Sequence, residues 1–394
     1  MKLCYVLEKF PQLSETFILN QMKALINQGH EITVYANEIA CNEHIDTDTE
    51  PMKSLVKNAK PRWKFYKLSS ALLNLSPYRF KSSIERFLDL LSDKQLNSYD
   101  AVVAHFGSNA KRVVHSKKRG FLKTPLITIF HGYDVGVPYK ENGLAEYQDL
   151  FEFGECFLTV NEHFKKMIIN AGAPADKVHV HRMGIFCNEI SYTPRDIAEN
   201  KCIISVCRFV EKKGIEFAIM ALADLKKRRP DIDWSYKIIG DGPRREEYKS
   251  LVKKEGLQDK VIFLGSQPHS FVQKELKEAS IFLLPSVTAA DGDVEGVPVA
   301  LMEAMGSGLI TVSSNHSGIP DLIDNKISGF LSDERDFSSL SQNLEWIFDN
   351  PPKCIQISET AAAKVAKRFN NELLYSEFSG YVDAMIKATE KSTN

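Results

Sequence analysis

The chain has 394 residues, of which 43% are hydrophobic and 26% charged. This composition is typical of globular domains and excludes collagen-like, disordered and disulfide-scaffold proteins. The 50 Lys and Arg residues nearly balance the 51 Asp and Glu residues, which argues against a general nucleic-acid binder. At this length two domains are expected.

Seven cysteines form no C-x-x-C pair, and their odd number is typical of a reducing compartment. The apolar run near Met1 is too short for the core of a signal peptide. No stretch approaches the ~18 apolar residues of a membrane span. We therefore expect a cytoplasmic protein that would meet the inner face of the cytoplasmic membrane only through its surface.

In the first half of the chain, β-rich runs alternate with amphipathic stretches. Ser14–Gln28 is predicted as a helix because its apolar residues recur at helical spacing. Ser14 is its predicted N-cap and Gly29 its C-terminal stop. The strands predicted here are Leu3–Leu7, Ile32–Ala36, Ala101–Ala104, Leu126–Phe130, Phe157–Val160 and Val178–Val180.

The second half repeats this alternation. Its predicted strands are Cys202–Val206, Tyr236–Ile239, Val261–Leu264, Ile281–Leu284 and Ile310–Val312. Its predicted helices are Ile215–Lys227, Arg244–Lys254, Phe271–Glu278 and Pro298–Met305. Apolar strands that alternate with helices indicate parallel sheets covered on both faces. The polar, aperiodic segment Ser191–Asn200 is predicted to link two doubly wound Rossmann-like α/β domains, residues 1–190 and 201–369.

Ligands of open parallel sheets bind beyond the carboxyl ends of the strands. The most informative segment in such a position is Pro285–Ala304, a small-residue acidic loop that leads into a helix. Gly296 allows a ligand close to the backbone, and Pro298 suits the first helical turn. The helix start suits a phosphate, with Glu295 and Glu303 able to reach groups on either side. On its own, a Glu-x7-Glu spacing is more often an acidic cap and a solvated glutamate.

Ser205–Gly214 follows another buried strand and places Arg208 and Lys213 in one loop. Arg208 offers a bidentate fork to phosphate, and Lys213 a mobile charge. Together they could neutralise a diphosphate, although two surface cations at a strand-to-helix turn are the more common case. Lys212 competes with Lys213 for the inward position.

Polar residues also follow strands in the first half. His131 ends a strand beside a glycine, where it could meet a substrate, although a lone histidine more often serves structure. Ser14, Glu15 and Thr16 would present hydroxyls and amides at a helix start. These three residues, with Asp134, are candidates for contacts on the acceptor or sugar side.

Several cofactor motifs are missing from the sequence. Gly240–Pro243 is not the start of a G-x-G-x-x-G, because residue 245 is Arg, and no P-loop motif occurs. Asp291 and Asp293 resemble the Asp-x-Asp of metal-dependent sugar transferases and could hold a hard cation. Beside Arg208 and Lys213 we favour a metal-free role for them, either binding sugar hydroxyls or shaping the loop. No metal site and no cofactor are predicted.

Taken together, these segments resemble the retaining glycosyltransferases of family 4, which have the GT-B fold. The resemblance covers almost the whole chain, and its specific part is five ordered segments: SVCRFVEKKG, KIIGDGPRREEY, VIFLGSQP, PSVTAADGDVEGVPVALMEAMGSG and NHSGIPDLI. The opening FPQLSETFILNQ and the loop TAADGDVEG resemble a bacterial subgroup that builds exopolysaccharides of the colanic-acid and amylovoran kind. Pro11–Ser14 departs from the Gly-rich loop that many members carry after the first strand.

The resemblance implies two Rossmann-like domains that face a cleft, with the donor bound by the C-terminal domain and the acceptor by the N-terminal one. Ser358–Lys387 looks helical, and a C-terminal helix of about residues 370–394 would pack back on the N-terminal domain. Glu303 would hold the ribose, Glu295 the transferred sugar, and His131 would lie near that sugar. The catalytic candidates are His131, Glu295, Arg208 and Lys213. The donor-binding candidates are Arg208, Lys213, Gly242, Glu295, Gly296, Val297, Pro298 and Glu303.

The implied reaction is a metal-independent, retaining transfer of a hexose from a nucleotide-sugar, UDP-linked in preference to GDP-linked, to a growing lipid-linked oligosaccharide. No nucleophilic carboxylate is evident, so we expect the departing phosphate to accept the proton of the acceptor. Two alternatives stay open. One is an epimerase-like enzyme that needs no acceptor. The other is a non-catalytic homologue that acts as a binding subunit.

Residues 51–86 hold nine Lys and Arg against one acid, with aromatic residues between them. Such a pattern suits an anionic membrane surface, and a solvated helical face explains it equally well. RNA binding fits the rest of the chain less well. An anionic inner-membrane surface is therefore a candidate partner.

Overall fold

The computed structural model describes residues 1–11, 16–39, 60–61 and 93–393, without the side chains of 60–61 and 390–393. These residues form two compact units. The first unit contains the described residues up to Thr159, then Lys165–His181 and the chain from Tyr375 onward. The second contains Val160–Phe164 and Arg182–Leu374. The long segment of the second unit thus begins at Arg182, before the predicted domain limit at residue 190. The domain limits stay a prediction.

The first unit is built on a sheet of seven parallel strands in the order β3-β2-β1-β4-β5-β6-β7. Its strands are β1 (Lys2–Phe10), β2 (Glu31–Ile39), β3 (Lys60–Pro61), β4 (Ala101–His105), β5 (Leu126–Phe130), β6 (Cys156–Thr159) and β7 (Val178–Val180). Every residue of β4 and β5 is buried, as helices on both faces of a parallel sheet require. The six predicted strands are confirmed, and the two-residue β3 was not predicted.

The α-helices described in this unit before its C-terminal part are α1 (Thr16–Asn27), α2 (Gly107–Lys118), α3 (Tyr133–Asn142), α4 (Gln148–Phe153) and α5 (Glu162–Asn170), whose start belongs to the second unit. The predicted stop of α1 is confirmed. Gly29 has a φ of +87°, its N–H donates to Ile26 O (2.9 Å), and the N–H of His30 donates to Leu25 O (3.0 Å). This pair of bonds is a Schellman motif. Ser14 lies outside the described residues, so its capping role stays a prediction.

The second unit is built on six parallel strands in the order β10-β9-β8-β11-β12-β13. Its strands are β8 (Cys202–Val206), β9 (Ser235–Ile239), β10 (Val261–Gly265), β11 (Ile281–Leu284), β12 (Ile310–Ser314) and β13 (Phe330–Ser332). Its helices are α6 (Ile215–Arg228), α7 (Arg245–Lys254), α8 (His269–Glu278), α9 (Val299–Gly306), α10 (Ile319–Leu322), α11 (Phe337–Asp349) and α12 (Pro351–Arg368). Pro298 was predicted to open α9. It is instead the extended N-cap residue, with a ψ of 122°.

The predicted C-terminal helix consists of two helices, α12 and α13 (Asn371–Thr393). They are interrupted beside Phe369, whose carbonyl accepts from Ile185 N (2.8 Å), while Asn371 N donates to Ile185 O (2.9 Å). Phe378, Val382 and Met385 of α13 are buried in the core of the first unit, with Leu3 and Tyr5. The predicted return of the C-terminal helix to the N-terminal domain is therefore confirmed.

The predicted linker 191–200 is fastened to the second unit. The Arg195 guanidinium donates to Lys277 O and Ser307 O, both at 2.9 Å. In the part of the chain that the structure describes, no helix is long and apolar enough to cross a bilayer.

Both sheets reverse their strand order at one point, between β1 and β4 in the first and between β8 and β11 in the second. The connections leave such a point in opposite directions, so a crevice opens beyond the carboxyl ends of the two strands. In the second unit this topology sets the loop 207–214 beside the loop 285–298. In the first it sets the end of β1 beside His105–Gly107.

Candidate functional site

An ion pair between Lys213 and Glu295 joins the two loops beside the β8/β11 reversal. Lys213 ends a 3₁₀ turn after β8, and Gly214 then turns the chain at a φ of +63°. A Cβ on Gly214 would lie 2.0 Å from Pro285 O, so a glycine is needed where the two loops meet. Lys213 Nζ lies 2.6 Å from Glu295 Oε1, and the side chains are 14% and 8% exposed. Burial raises the pKa of Glu295, but the charges of Lys213 and Lys212 outweigh it and leave the pKa lowered.

Lys212 pairs with a second carboxylate, that of Asp293, in the loop that carries Glu295. Its Nζ lies 2.9 Å from Asp293 Oδ2, and Asp291 Oδ1 accepts from the N–H of Asp293 (2.9 Å). Each lysine thus has its own carboxylate partner, and because both side chains are largely buried, which of them faces a donor stays a prediction. The contacts of Asp291 and Asp293 are loop-shaping ones, while binding of sugar hydroxyls stays a prediction. Among the described residues, no three His, Cys, Asp or Glu side chains form a group that could hold a metal.

Arg208 is exposed, and the described residues offer its guanidinium no ion pair. Its neighbour Phe209 anchors the loop, because Phe209 N donates to Asp241 O (2.8 Å) and Arg244 N donates to Phe209 O (3.2 Å). Gly242 allows this approach, since a Cβ there would lie 2.6 Å from Phe209 O. The packing role of Gly242 is evident, and its contact with a donor stays a prediction.

Glu303 lies on α9, and its Oε1 is 3.1 Å from His269 Nε2. Burial raises the pKa of Glu303, and the hydrogen bond and charge of His269 only partly oppose this. The carboxylate lines a small pocket of about 40 Å³ together with residues of α8 and of the segment before β8. Polar members of that lining are Glu189, Ser191, Gln273, Lys277 and Ser307.

In the first unit, His131 belongs to a buried chain of hydrogen bonds. Gln21 Oε1 accepts from the Tyr5 hydroxyl (2.9 Å) and from His105 Nε2 (3.0 Å). His105 Nδ1 is then left to accept from His131 Nε2 (3.0 Å), which leaves the lone pair of His131 on Nδ1. His131 Nδ1 is buried and has no hydrogen-bond partner among the described residues.

Aromatic rings surround this histidine. The ring centroids of Phe17 and Phe106 both lie 4.7 Å from that of His131. Burial, together with the charge of His181, lowers the pKa of His131 to about 3, so His131 is neutral at physiological pH. A neutral imidazole with its lone pair on Nδ1 can accept a hydrogen bond there, and contact of His131 with a substrate stays a prediction.

The other candidate residues of the first unit are Asp134, Thr16, Ser14 and Glu15. Asp134 Oδ1 accepts from the N–H groups of His131 and Gly132 (both 3.0 Å), and its Oδ2 accepts from Gly107 N (2.9 Å). Its carboxylate thus holds the backbone after β4 and β5, which argues against the predicted sugar contact. Thr16 is exposed at the start of α1, and Ser14 and Glu15 lie outside the described residues.

Sequence reasoning did not single out Gln21, His105, His316 or Glu334 as functional. His105 had a detectable signal, because it ends the strand next to the one that His131 follows. Gln21 is one polar residue on an apolar helix face, and nothing in the sequence connects it to β4.

Two family models match the chain. Residues 14–188 match Glycosyltransferase Family 4, and residues 194–364 match Glycosyl transferases group 1. The chain is 32% identical to the putative colanic acid biosynthesis glycosyltransferase WcaL of Escherichia coli K12, over 98% of this chain and all of the relative. It is 32% identical, with the same coverage, to the amylovoran biosynthesis glycosyltransferase AmsK of Erwinia amylovora.

Solved structures share the whole fold. Anabaena HepE, in complex with UDP, superposes with a TM-score of 0.75 at 17% identity, over 98% of this chain and all of the other. The lipopolysaccharide outer core galactosyltransferase WaaB, in its apo form, has a TM-score of 0.75 at 19% identity, over 98% and 99% of the two chains. The chain matches the family model and is 32% identical to two glycosyltransferases over nearly its full length. Its two doubly wound sheets agree with the solved structures. This chain is therefore a glycosyltransferase of family 4 with the GT-B fold.

Proposed function

We propose that this glycosyltransferase moves a hexose from a nucleotide-sugar onto a growing lipid-linked oligosaccharide in bacterial exopolysaccharide or related surface-polysaccharide synthesis. The names of its relatives, colanic acid and amylovoran biosynthesis glycosyltransferases, support the pathway class. A structural neighbour with bound UDP favours a UDP-sugar over a GDP-sugar. Retention of the anomeric configuration is part of the proposal and follows the resemblance to retaining enzymes.

The observation that carries the donor assignment is the set of charges in the two loops beside the β8/β11 reversal. Arg208 is exposed and without an ion pair among the described residues, and Lys213, in the same loop, is paired with Glu295 of the neighbouring loop. A departing nucleoside diphosphate gains negative charge, which two preorganised cations stabilise. The N-terminus of α9 adds partial positive charge on the same side of the sheet.

In the proposed step, the bond between the anomeric carbon and the phosphate oxygen breaks, and the acceptor oxygen bonds to that carbon on the same face. The departing phosphate takes the acceptor hydroxyl proton. Glu295 orients the transferred sugar, and its pairing with Lys213 makes it a weak nucleophile. His131 orients the sugar or acceptor as a neutral imidazole. A glycosyl adduct trapped on Glu295 or another side chain would refute this step.

The first experiment is thermal unfolding in the presence of UDP, GDP, ADP or CMP, with Glu303→Ala as the comparison. A ligand that binds only the folded state raises the apparent stability. One nucleotide that stabilises the wild type and not the variant supports the donor assignment and selects the base. If no nucleotide stabilises the wild type, the donor assignment fails and the non-catalytic alternative gains support.

Product analysis separates the remaining alternatives. An epimerase-like enzyme would convert the nucleotide-sugar without any acceptor, whereas the proposed transferase releases nucleotide only when an acceptor is glycosylated. The anomeric configuration of the product tests retention. Turnover unchanged by EDTA would support metal independence, since Asp293 is already paired with Lys212.

Docking of residues 51–86 on an anionic membrane is part of the proposal, because a lipid-linked acceptor is presented there. Sequence alone supports it, as nearly all of the segment lies outside the described residues. Binding to vesicles containing phosphatidylglycerol, but not to pure phosphatidylcholine vesicles, is expected. Lys→Glu changes at residues 53, 57 and 60 should weaken it, and equal binding to both vesicles would refute the docking.

A further inference from the structure

The backbone at Glu295 is held on both sides by one short segment after β12. The N–H of Glu295 donates to His316 Nε2 (3.0 Å), and the Ser317 hydroxyl donates to Glu295 O (2.6 Å). Asn161 Nδ2 donates to the next carbonyl, that of Gly296 (3.1 Å). The Cα from which the Glu295 carboxylate extends is therefore fixed by side chains that do not touch the carboxylate.

His316 is itself fixed. Its side chain is 1% exposed, and because Nε2 accepts from a backbone N–H, the ring proton must be on Nδ1. Nδ1 lies 2.5 Å from Glu334 Oε1. A carboxylate that orients an imidazole through its second nitrogen sets the tautomer and the ring plane.

Glu334 connects this arrangement back to the loop that carries Glu295. Its two carboxylate oxygens accept from the N–H (2.8 Å) and the hydroxyl (3.0 Å) of Thr288. Although partial burial raises the pKa of Glu334, the bonds to His316 and Thr288 lower it to about 2. The segments after β11, β12 and β13 are thus joined by one charged, hydrogen-bonded group.

We propose that His316 and Glu334 are positioning residues for the transfer reaction, which hold the Glu295 carboxylate against Lys213 and the sugar of the donor. The proposal rests on the function proposed above. Neither residue reaches the substrate in this role. Their effect therefore falls on the geometry of the reacting sugar and not on the affinity for the nucleotide, which Glu303 and Arg208 would contact.

His316→Phe keeps a ring of similar size and removes the acceptor for Glu295 N. We expect kcat to fall on the order of 10- to 100-fold, because misplacing a reacting group by about an ångström costs that much. The donor KM and the stabilisation by nucleotide should stay within about twofold. His316→Gln offers an amide oxygen in place of Nε2 and should restore most of kcat, while Glu334→Gln should give an intermediate loss.

Hydrogen exchange at the Glu295 amide provides a readout that does not need turnover. The amide should be protected in the wild type and His316→Gln, and should exchange at least about tenfold faster in His316→Phe, since a buried bond is lost. If His316→Phe fails to fold, Glu334→Gln carries both measurements. Wild-type kcat with unchanged exchange, or equal losses in kcat and nucleotide affinity, would overturn the proposal.

Failure of the proposed function would look different. A wild-type protein that transfers no sugar from any nucleotide-sugar refutes the function. The exchange experiment then decides alone whether His316 fixes the Glu295 backbone.

Discussion

Lys213 Nζ lies 2.6 Å from Glu295 Oε1 within a largely buried pair. A buried carboxylate is stable only while a cation compensates it. A diphosphate that arrives between Arg208 and Lys213 would compete for the same ammonium group. Lys213 would therefore couple donor binding to Glu295. Changes in either of the two loops, 207–214 or 285–298, should then affect both the stability of the protein and its turnover.

Lys213→Met should destabilise the protein by about 3–5 kcal/mol, because it leaves a buried carboxylate without its partner. Lys212→Met is the matched control in the next position, and its partner Asp293 is more exposed, at 20%, so a smaller loss is expected. The combined variant Lys213→Met/Glu295→Gln should recover much of the loss. Urea unfolding at pH 7 measures all four proteins, and equal losses in the two lysine variants would contradict the burial argument.

The same pair predicts a pH dependence. The pKa of Glu295 is lowered in the folded protein, so its contribution to stability is complete above the ordinary glutamate pKa of 4.5 and is lost as pH falls below it. Without Lys213, burial dominates and this contribution disappears. The stability difference between wild type and Lys213→Met should therefore shrink as pH is lowered from 7 to 4, and a constant difference would count against the pairing.

Arg208→Ala should separate function from stability. The guanidinium is exposed, so the free energy of unfolding should change by less than about 0.5 kcal/mol. Loss of a preorganised charge on the leaving group should lower kcat on the order of 100-fold. Arg119→Ala, an exposed arginine of the first unit, is the control and should keep full activity. Wild-type turnover in Arg208→Ala would remove that residue from the site.

Nucleotide affinity should weaken at mildly acidic pH because of Glu303. Burial raises its pKa above the ordinary 4.5, and a protonated carboxyl is a poorer acceptor for a ribose diol. The loss of nucleotide affinity should therefore begin at a higher pH than it would if Glu303 had the pKa of an ordinary glutamate. Glu303→Gln should bind weakly at every pH, and His269→Gln should shift the loss to higher pH still. Calorimetric titration with UDP between pH 5 and 8 tests this, and a pH-independent wild type would contradict it.

The buried histidines of the first unit predict acid destabilisation. Burial lowers the pKa of His131 to about 3 and that of His181 to about 4, so the unfolded chain binds more protons below the ordinary pKa of 6.5. Stability should therefore fall as pH decreases from 6.5 towards 4. His131→Phe keeps the aromatic contacts and should reduce this slope by about one proton, as urea unfolding across the range would show. An unchanged slope would mean that His131 is protonated in the folded protein.

The strands, and the charged loops that follow them, could be predicted from the sequence because both depend on the local order of apolar and polar residues. A parallel strand that is buried on both faces must be an apolar run, as Leu126–Phe130 is, and a loop after such a strand can be recognised by its polar residues. β13 was not predicted, although the equally short β7 was. Pro298 was predicted to be the first helical residue and is the N-cap residue just before it, because its fixed φ suits either position.

What the sequence determined by itself is the set of candidate residues: Arg208, Lys213 and Glu295 in loops after parallel strands, and Glu303 on the helix that follows one of those loops. The tertiary structure decided which groups are partners. Lys212 and Lys213 are neighbours in the chain, yet each pairs with a different carboxylate, since successive side chains of a 3₁₀ turn point apart. Gln21 with His105, and His316 with Glu334, are joined across separate elements. Hydrogen bonds of that kind depend on distances of about 3 Å between residues far apart in the chain, and only the packed sheet and its loops set such distances.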